Sequence, residues 1–340
     1  MRILYGIQGT GNGHMTRATQ IIDELQKKSV IVDVIFSGCG KDKFYDPSII
    51  SPVGFYKGFT FSIKKGGIQI FHTAKNLSVG QFARDVLSFD ASGYDLVITD
   101  FEPVASMIAK KNKIPSIGIA HQYAFLHDVP MDRSNFIAHM IIKHFAPADY
   151  TIGMHWHHFN QPIVPPVIPT CFKASNVTDE KLILVYLPFE DKDHVRAFLK
   201  PFSRFTFAVY GGTRKMSEIK EDNVIWHPFS KTTFYDDLAA CSGVICNAGF
   251  ELPAEAIFLG KKILVKPLKG QFEQVSNAMA LEILNSGMVM NSLDKNKLNL
   301  WLSQSSKIKR EYPNVAGRIS QWVLNGNWSD TKQLISKTWN

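Results

Sequence analysis

Short apolar runs alternate with amphipathic stretches along the first 150 residues. Arg2 to Ile7 reads as a strand, a glycine loop follows, and a helix is expected from about Met15 to Lys28. Val30 to Phe36 reads as a second strand, and Tyr94 to Thr99, Ser116 to Ala120 and Tyr150 to Gly153 as further ones. Met107 to Asn112 reads as the end of an intervening helix. Uniformly apolar strands alternating with helices predict βαβ units and a parallel sheet covered on both faces. From Phe55 to Arg84 the rhythm breaks. Phe59, Phe61, Ile63, Ile68, Ile70 and Phe71 stand in near-alternation around Gly66-Gly67, as in a hairpin insertion. That insertion fits a ligand-binding wall or lid and an ordinary sheet edge equally well.

Pro162, Pro165, Pro166 and Pro169 then interrupt helix and central strand alike, which marks 161–172 as a linker. A second alternating region follows. Strands are expected at Leu182 to Leu187, Arg204 to Val209, Val224 to Trp226, Gly243 to Cys246 and Lys262 to Val265, with a helix at Glu251 to Leu259. The pattern predicts one Rossmann-like α/β domain over 1–160 and a second over 173–340. The last helix is a candidate for packing back on the first domain.

The 340 residues carry 38 Lys+Arg against 30 Asp+Glu, a formal charge of +8, with 45% hydrophobic and 20% charged positions. Those proportions exclude disorder and fibrous repeats. Cys39, Cys171, Cys241 and Cys246 form no Cys-x-x-Cys pair, so neither a disulfide framework nor a zinc ribbon is expected. The opening Met1-Arg2-Ile3-Leu4-Tyr5-Gly6 leaves no apolar core for a signal peptide, and no run of about 18 apolar residues exists. A cytoplasmic protein is expected. The basic residues are scattered and carry no recognition motif, which argues against nucleic acid.

Two constellations carry chemistry. Strand one runs into Gly9-Thr10-Gly11-Asn12-Gly13-His14 and a helix, the arrangement that aims backbone N–H groups at an anion. The third glycine of a dinucleotide fingerprint would fall on His14, and Asp33 lies inside strand two rather than at its end. Asp100 ends the third strand of the pattern, Glu102 follows, and His121 ends the next. His14, Asp100, Glu102 and His121 are therefore expected at one crevice, outside the carboxyl ends of the strands. There they would be placed for general-base work. In the second half, strand Val244-Ile245-Cys246 leads into Asn247-Ala248-Gly249-Phe250. A helix with Glu251 and Glu255 follows, then Gly260, Pro267, Glu273-Gln274 and Asn277-Ala278.

This second stretch resembles the donor-binding region of two-lobed (GT-B) glycosyltransferases of the UDP-sugar type. The peptidoglycan N-acetylglucosamine transferase and its relatives are among them. Gly11-Asn12-Gly13-His14 resembles the same family's N-terminal turn. The resemblance implies an α/β fold of two Rossmann-like lobes facing each other across a cleft. It implies a nucleotide-diphosphate sugar as co-substrate, with no other cofactor and no metal. Gly249 and its neighbours, Asn247, Phe250 and Glu251 among them, would lie under the donor diphosphate. Glu255 would hold the ribose, Glu273 and Gln274 the donated sugar, and His227 and Phe229 the nucleobase. Gly11, Gly13, Arg17, Glu102 and His121 would line the acceptor side. Two departures are visible: Asn247-Ala248 where many relatives carry His-x or a second glycine, and Glu273 where many carry Asp.

The resemblance implies inverting transfer of a sugar from a UDP-linked donor to an acceptor hydroxyl. His14 is the first candidate for the base and Asp100 the second, or the carboxylate that orients a histidine. The acceptor expected is a glycan or lipid-linked molecule, with peripheral membrane association suited to the positive charge. Three other readings stay open at this point: a sugar-nucleotide epimerase of the same fold, an NAD-dependent oxidoreductase, and a non-catalytic sugar-nucleotide sensor. His155-Trp156-His157-His158 is expected to be a strand leading into the linker rather than a metal tract. Asp191-Lys192-Asp193 is expected to be a polar turn. Neither Gly-x-Ser-x-Gly nor a Walker loop occurs.

Overall fold

The computed structural model describes residues 1–9, 11–38, 52–58, 63–64, 67–68, 79–172, 179–211, 217–228, 230–305 and 308–339. Strand β1 (Arg2–Gln8) leads into α1 (Asn12–Gln26), β2 (Ile31–Ser37) and β3 (Pro52–Tyr56). β4 (Ile63–Lys64) and β5 (Gly67–Ile68) pair as a small antiparallel hairpin. Then come α2 (Val79–Ser88), β6 (Leu96–Asp100), α3 (Pro103–Asn112) and β7 (Ser116–Ala120). A 3-10 turn (His121–Leu126), α4 (Phe136–His144) and β8 (Tyr150–Gly153) complete this half.

The six strands outside the hairpin form one parallel sheet in the order β3-β2-β1-β6-β7-β8. β6 and β7 are buried at every position, as their unbroken apolar runs require of strands covered on both faces. The chain changes direction across the sheet between β1 and β6, and a crevice opens there at the carboxyl ends.

The second half repeats the scheme with β9 (Asp179–Tyr186), α5 (Lys192–Leu199), β10 (Thr206–Tyr210), β11 (Ile219–Glu221) and β12 (Val224–His227). It continues with α6 (Lys231–Ala240), β13 (Cys241–Cys246), α7 (Glu251–Leu259), β14 (Lys262–Val265), α8 (Phe272–Ile283) and β15 (Met288–Val289). The sheet order is β11-β12-β10-β9-β13-β14-β15, parallel except for the edge strand β11. Its switch point lies between β9 and β13. After α9 (Lys295–Ser303), helices α10 (Val315–Asn325) and α11 (Lys332–Trp339) return to the first half. Asn314 donates to Glu24 of α1 at 3.4 Å, and the Trp339 indole donates to the Ile163 carbonyl at 2.7 Å.

One apolar cluster runs through both halves, from Ile3 and Ile7 through Trp156 and Val164 to Cys246 and Ile257. Trp156 is fully buried and donates its indole N–H to the Phe250 carbonyl at 3.2 Å.

Three expectations change. Helix α1 begins at Asn12, earlier than expected, so His14 sits within its first turn. The insertion starts one strand later than expected, because β3 pairs with β2 as the edge of the main sheet; Phe59, Phe61, Ile70 and Phe71 lie outside the described residues. The histidine tract is a turn and not a strand. β8 stops at Gly153, and left-handed Phe159 and Asn160 reverse the chain. His155, His157 and His158 each accept a nearby backbone N–H at 2.9 Å, which uses the rings locally. Asp191 caps α5 by accepting from Asp193 and His194.

Gly6 of β1 passes so close to the start of α3 that a Cβ there would meet Ala105 and the Glu102 carboxylate. Gly6→Ala is expected to lower stability by about 1–3 kcal/mol through overpacking, read as a lower urea midpoint at unchanged slope.

Candidate active site

The first-lobe switch point brings the turn after β1 against the end of β6. His14 and Arg17 are one turn apart on α1, so both side chains leave the same face. Asp100 is the last residue of β6 and pairs in register with Ile7. The His14 ring nitrogen Nδ1 lies 2.7 Å from Asp100 Oδ1, while Arg17 donates to Asp100 through Nε at 3.0 Å and through Nη2 at 2.5 Å. Asp100 and Arg17 are buried; His14 is the partly open member, with its side chain 15% exposed.

Burial works against the Asp100 charge, but the Arg17 guanidinium and His14 outweigh it and hold its pKa below the ordinary value. Asp100 is therefore a carboxylate that can only accept. His14 Nδ1 is accordingly the donor to Asp100, and Nε2 is the ring nitrogen turned away from it.

Arg17 also reaches the second lobe. Its Nη1 donates to Glu251, the first residue of α7. Gly13 is required by the same contact, since a Cβ there would collide with the Glu251 carboxylate. Gly11 and Gly249 differ: a side chain at either would meet open space. Asn12 donates to the Tyr186 hydroxyl, at the end of β9, at 3.3 Å. The two switch points thus face each other, with His14 and Asp100 on one side and the N-terminus of α7 on the other.

Below them is a seam between the lobes. His121 lies flat on Phe250, ring centroids 3.9 Å apart and 5° from parallel. His121 Nδ1 is 2.8 Å from the Met154 carbonyl, and Nε2 meets the Asn277 amide at 2.7 Å. Asn277 donates in turn to the Ala248 carbonyl at 3.0 Å, and Gln122 donates to Glu273 at 2.9 Å. Burial pushes the His121 imidazole's pKa down.

Several expected site residues are placed otherwise. Glu102 does not face the crevice. Its carboxylate caps α3, accepting from Val104 at 2.7 Å and Ala105 at 2.6 Å, with Pro103 opening the helix. Complete burial raises its pKa to about 7, against those bonds and one from Ser37. His121 belongs to the seam and not to the acceptor side, and the Phe250 ring is seam core rather than donor contact. The Gln274 side chain accepts from Leu268 N at 2.9 Å, which fixes the loop before α8.

The other donor-side residues surround the second switch point. Asn247 is buried and donates to the Lys266 carbonyl at 2.9 Å. Glu255 is buried on α7, and its charge adds to burial in raising the Tyr235 pKa. His227 ends β12, stacks on Tyr210 at 4.9 Å, and meets Glu218 at 3.1 Å. Phe229 lies outside the described residues. Asp33 is far from the carboxyl edge, bound to Arg2 at 2.8 Å and Tyr94 at 2.9 Å, so it is not placed as a ribose acid. Among the described residues no group of three His, Cys, Asp or Glu is gathered as a metal site. No described helix is long and apolar enough to cross a membrane.

The Arg17–Glu251 and His121–Asn277 contacts escaped the sequence reading, because they join residues far apart in the chain. Asn277 did carry a signal, as part of Gln-x-x-Asn-Ala.

Two facing switch points, with a histidine–carboxylate pair opposite a helix N-terminus, suit transfer from an anionic leaving group. The family model of glycosyl transferase family 1 matches residues 1–305. The chain belongs to that family. It is a GT-B glycosyltransferase, and its two parallel sheets match solved enzymes of that fold. CalG4, the calicheamicin glycosyltransferase, is similar at TM-score 0.62 and 14% identity, over 99% of this chain and 97% of that one. The spinosyn rhamnosyltransferase SpnG, complexed with spinosyn aglycone, is similar at TM-score 0.61 and 12% identity, over 97% and 96%. Glycosyltransferase VinC, in complex with dTDP, is similar at TM-score 0.57 and 12% identity, over 99% and 98%. Among curated protein sequences none matches. The expected likeness to the peptidoglycan enzyme in particular is not among these findings; those named here include antibiotic glycosyltransferases.

The raised Glu102 value yields a pH prediction. A folded carboxyl that titrates near 7 against an ordinary 4.5 binds its proton more tightly than the unfolded chain does. Stability contributed by this group is present at low pH and falls as pH rises from about 4.5 to about 7, by about 3 kcal/mol at most. Glu102→Gln is expected to flatten that part of the curve, seen by urea unfolding at a series of pH values.

Proposed function

We propose that this glycosyltransferase moves a sugar from a nucleotide-diphosphate donor, UDP- or dTDP-linked, to an acceptor hydroxyl with inversion and without a metal. The observation that carries the reading is the 2.7 Å His14–Asp100 pair set across from the N-terminus of α7. His14 Nε2 takes the proton of the acceptor hydroxyl. The freed oxygen bonds to the anomeric carbon while the bond to the diphosphate oxygen breaks on the opposite face. Asp100 stabilises the imidazolium that results and keeps the ring oriented, as in other acid–base pairs of this type.

The departing diphosphate gains negative charge, and a helix N-terminus offers free N–H groups and roughly half a positive charge to receive it. Gly11 and Gly249 leave open space at the turn of each lobe, where acceptor and donor would approach. VinC and SpnG, with dTDP and an aglycone in their crystals, are consistent with donor and acceptor sites on this fold. A glycan or lipid-linked acceptor held near an anionic membrane surface fits the +8 charge.

The test is product formation, by mass spectrometry, from UDP- and dTDP-sugars with a panel of hydroxyl acceptors in EDTA. His14→Ala is expected to lower kcat by about 10²–10⁴ while nucleotide binding persists, and Asp100→Asn to act in the same direction. A His14→Ala enzyme as fast as wild type would place the base elsewhere. Product formed without acceptor would point to epimerisation, and a retained anomeric configuration would exclude single displacement. Loss of binding to anionic liposomes at low salt would remove the membrane part of the reading.

A further inference from the structure

The second-lobe crevice is acidic for a site that receives a diphosphate. Glu190 comes from the loop after β9, Glu251 opens α7, and Glu273 lies in the first turn of α8. Arg17 and Lys266 are in contact with these carboxylates. Arg17 is already shared between Asp100 and Glu251.

Lys266 follows β14 directly. Its N–H donates to the Cys246 carbonyl at 2.8 Å and its carbonyl accepts from Asn247 Nδ2 at 2.9 Å, which locks its backbone to the end of β13. Its ammonium reaches Glu190 Oε1 at 2.7 Å, with side-chain exposures of 12% and 13%. In the sheet, β13 lies between β9 and β14, so this ion pair crosses the carboxyl end of β13, a four-residue turn before α7. Directly beside it, the Asn247 amide oxygen is buried and has no hydrogen-bond partner.

An ion pair this enclosed adds little net stability, because desolvation offsets the attraction. An entering anion with more charge would keep the ammonium paired, while the released Glu190 carboxylate, at 13% side-chain exposure, has to regain water as the lysine leaves it. A diphosphate is such an anion, with more charge and more acceptor oxygens than one carboxylate. The half charge of a helix N-terminus falls short of neutralising it.

We propose that Lys266 is the cation that binds the donor's diphosphate, and that Glu190 holds this lysine in the empty enzyme and releases it when the donor enters. The proposal rests on the reading of the donor as a nucleoside-diphosphate sugar.

The experiment is calorimetric titration of the full chain with UDP and dTDP, and with uridine and thymidine, for wild type, Lys266→Met, Lys266→Arg and Glu190→Gln. Lys266→Met is expected to raise the Kd for the diphosphate that wild type binds by about tenfold or more, and to leave the nucleoside Kd unchanged. Lys266→Arg should restore most of the loss. Glu190→Gln should bind the diphosphate as tightly as wild type or more tightly, since the competitor is gone. Thermal unfolding without ligand checks that each variant is folded. Equal diphosphate affinity in Lys266→Met, or an equal loss in Glu190→Gln, would overturn the proposal alone. Wild type that bound neither nucleoside diphosphate would overturn it together with the functional reading.

Discussion

Arg17 is a buried cation answered by carboxylates from both halves of the molecule, Asp100 beneath it and Glu251 across the crevice. A guanidinium removed from water must be fully paired, and its planar fork can satisfy two carboxylates at once. Because Arg17 lies one turn after His14, the pairing also decides where the histidine stands. Asp100 is pinned by Arg17 from one side and meets His14 from the other. Glu251 holds the start of α7 at the level of that histidine. The relation between His14 and the start of α7 therefore depends on this one side chain.

The contacts below this point are of another kind. His121 on Phe250, Trp156 on the Phe250 carbonyl, and Asn277 on Ala248 are buried: one ring stack and two hydrogen bonds between uncharged groups. They seal the floor of the crevice and exclude water from it, while the charged groups line its upper part. Burial and charge thus divide the work: packing brings the lobes together, and electrostatics sets the register of His14 against α7.

The elements most legible in the sequence are those whose edges are marked chemically. Glu251–Leu259 lies between a glycine turn and Gly260, whose left-handed backbone ends the helix, and Lys262–Val265 follows as a bare apolar run. His14 and Asp100 could be paired in advance because both follow strands that flank the switch point. Glu102 looked equivalent by the same logic and is not. The proline after it makes it a helix cap, a local signal that outweighs proximity to a strand end. The packing of His121 on Phe250 is not legible from its place at a strand end, which fixes where a residue begins and not which way its ring turns. Arg17 with Glu251, 234 positions apart, left no trace in either local pattern. β11 is three residues long and polar, too brief for its alternation to register.

The return of α10 and α11 to the first lobe has a mechanical consequence. The chain crosses between the lobes once at 161–172 and again after α9, and the final indole is fastened to Ile163 inside the first crossing. A body tied by one thread can swivel and twist freely. Two crossings fastened side by side behave like a pair of door hinges, which leave one axis of swing and resist torsion about the other two. Any swing of one lobe on the other would then follow one arc, and its return would bring α7 back to the same azimuth over His14.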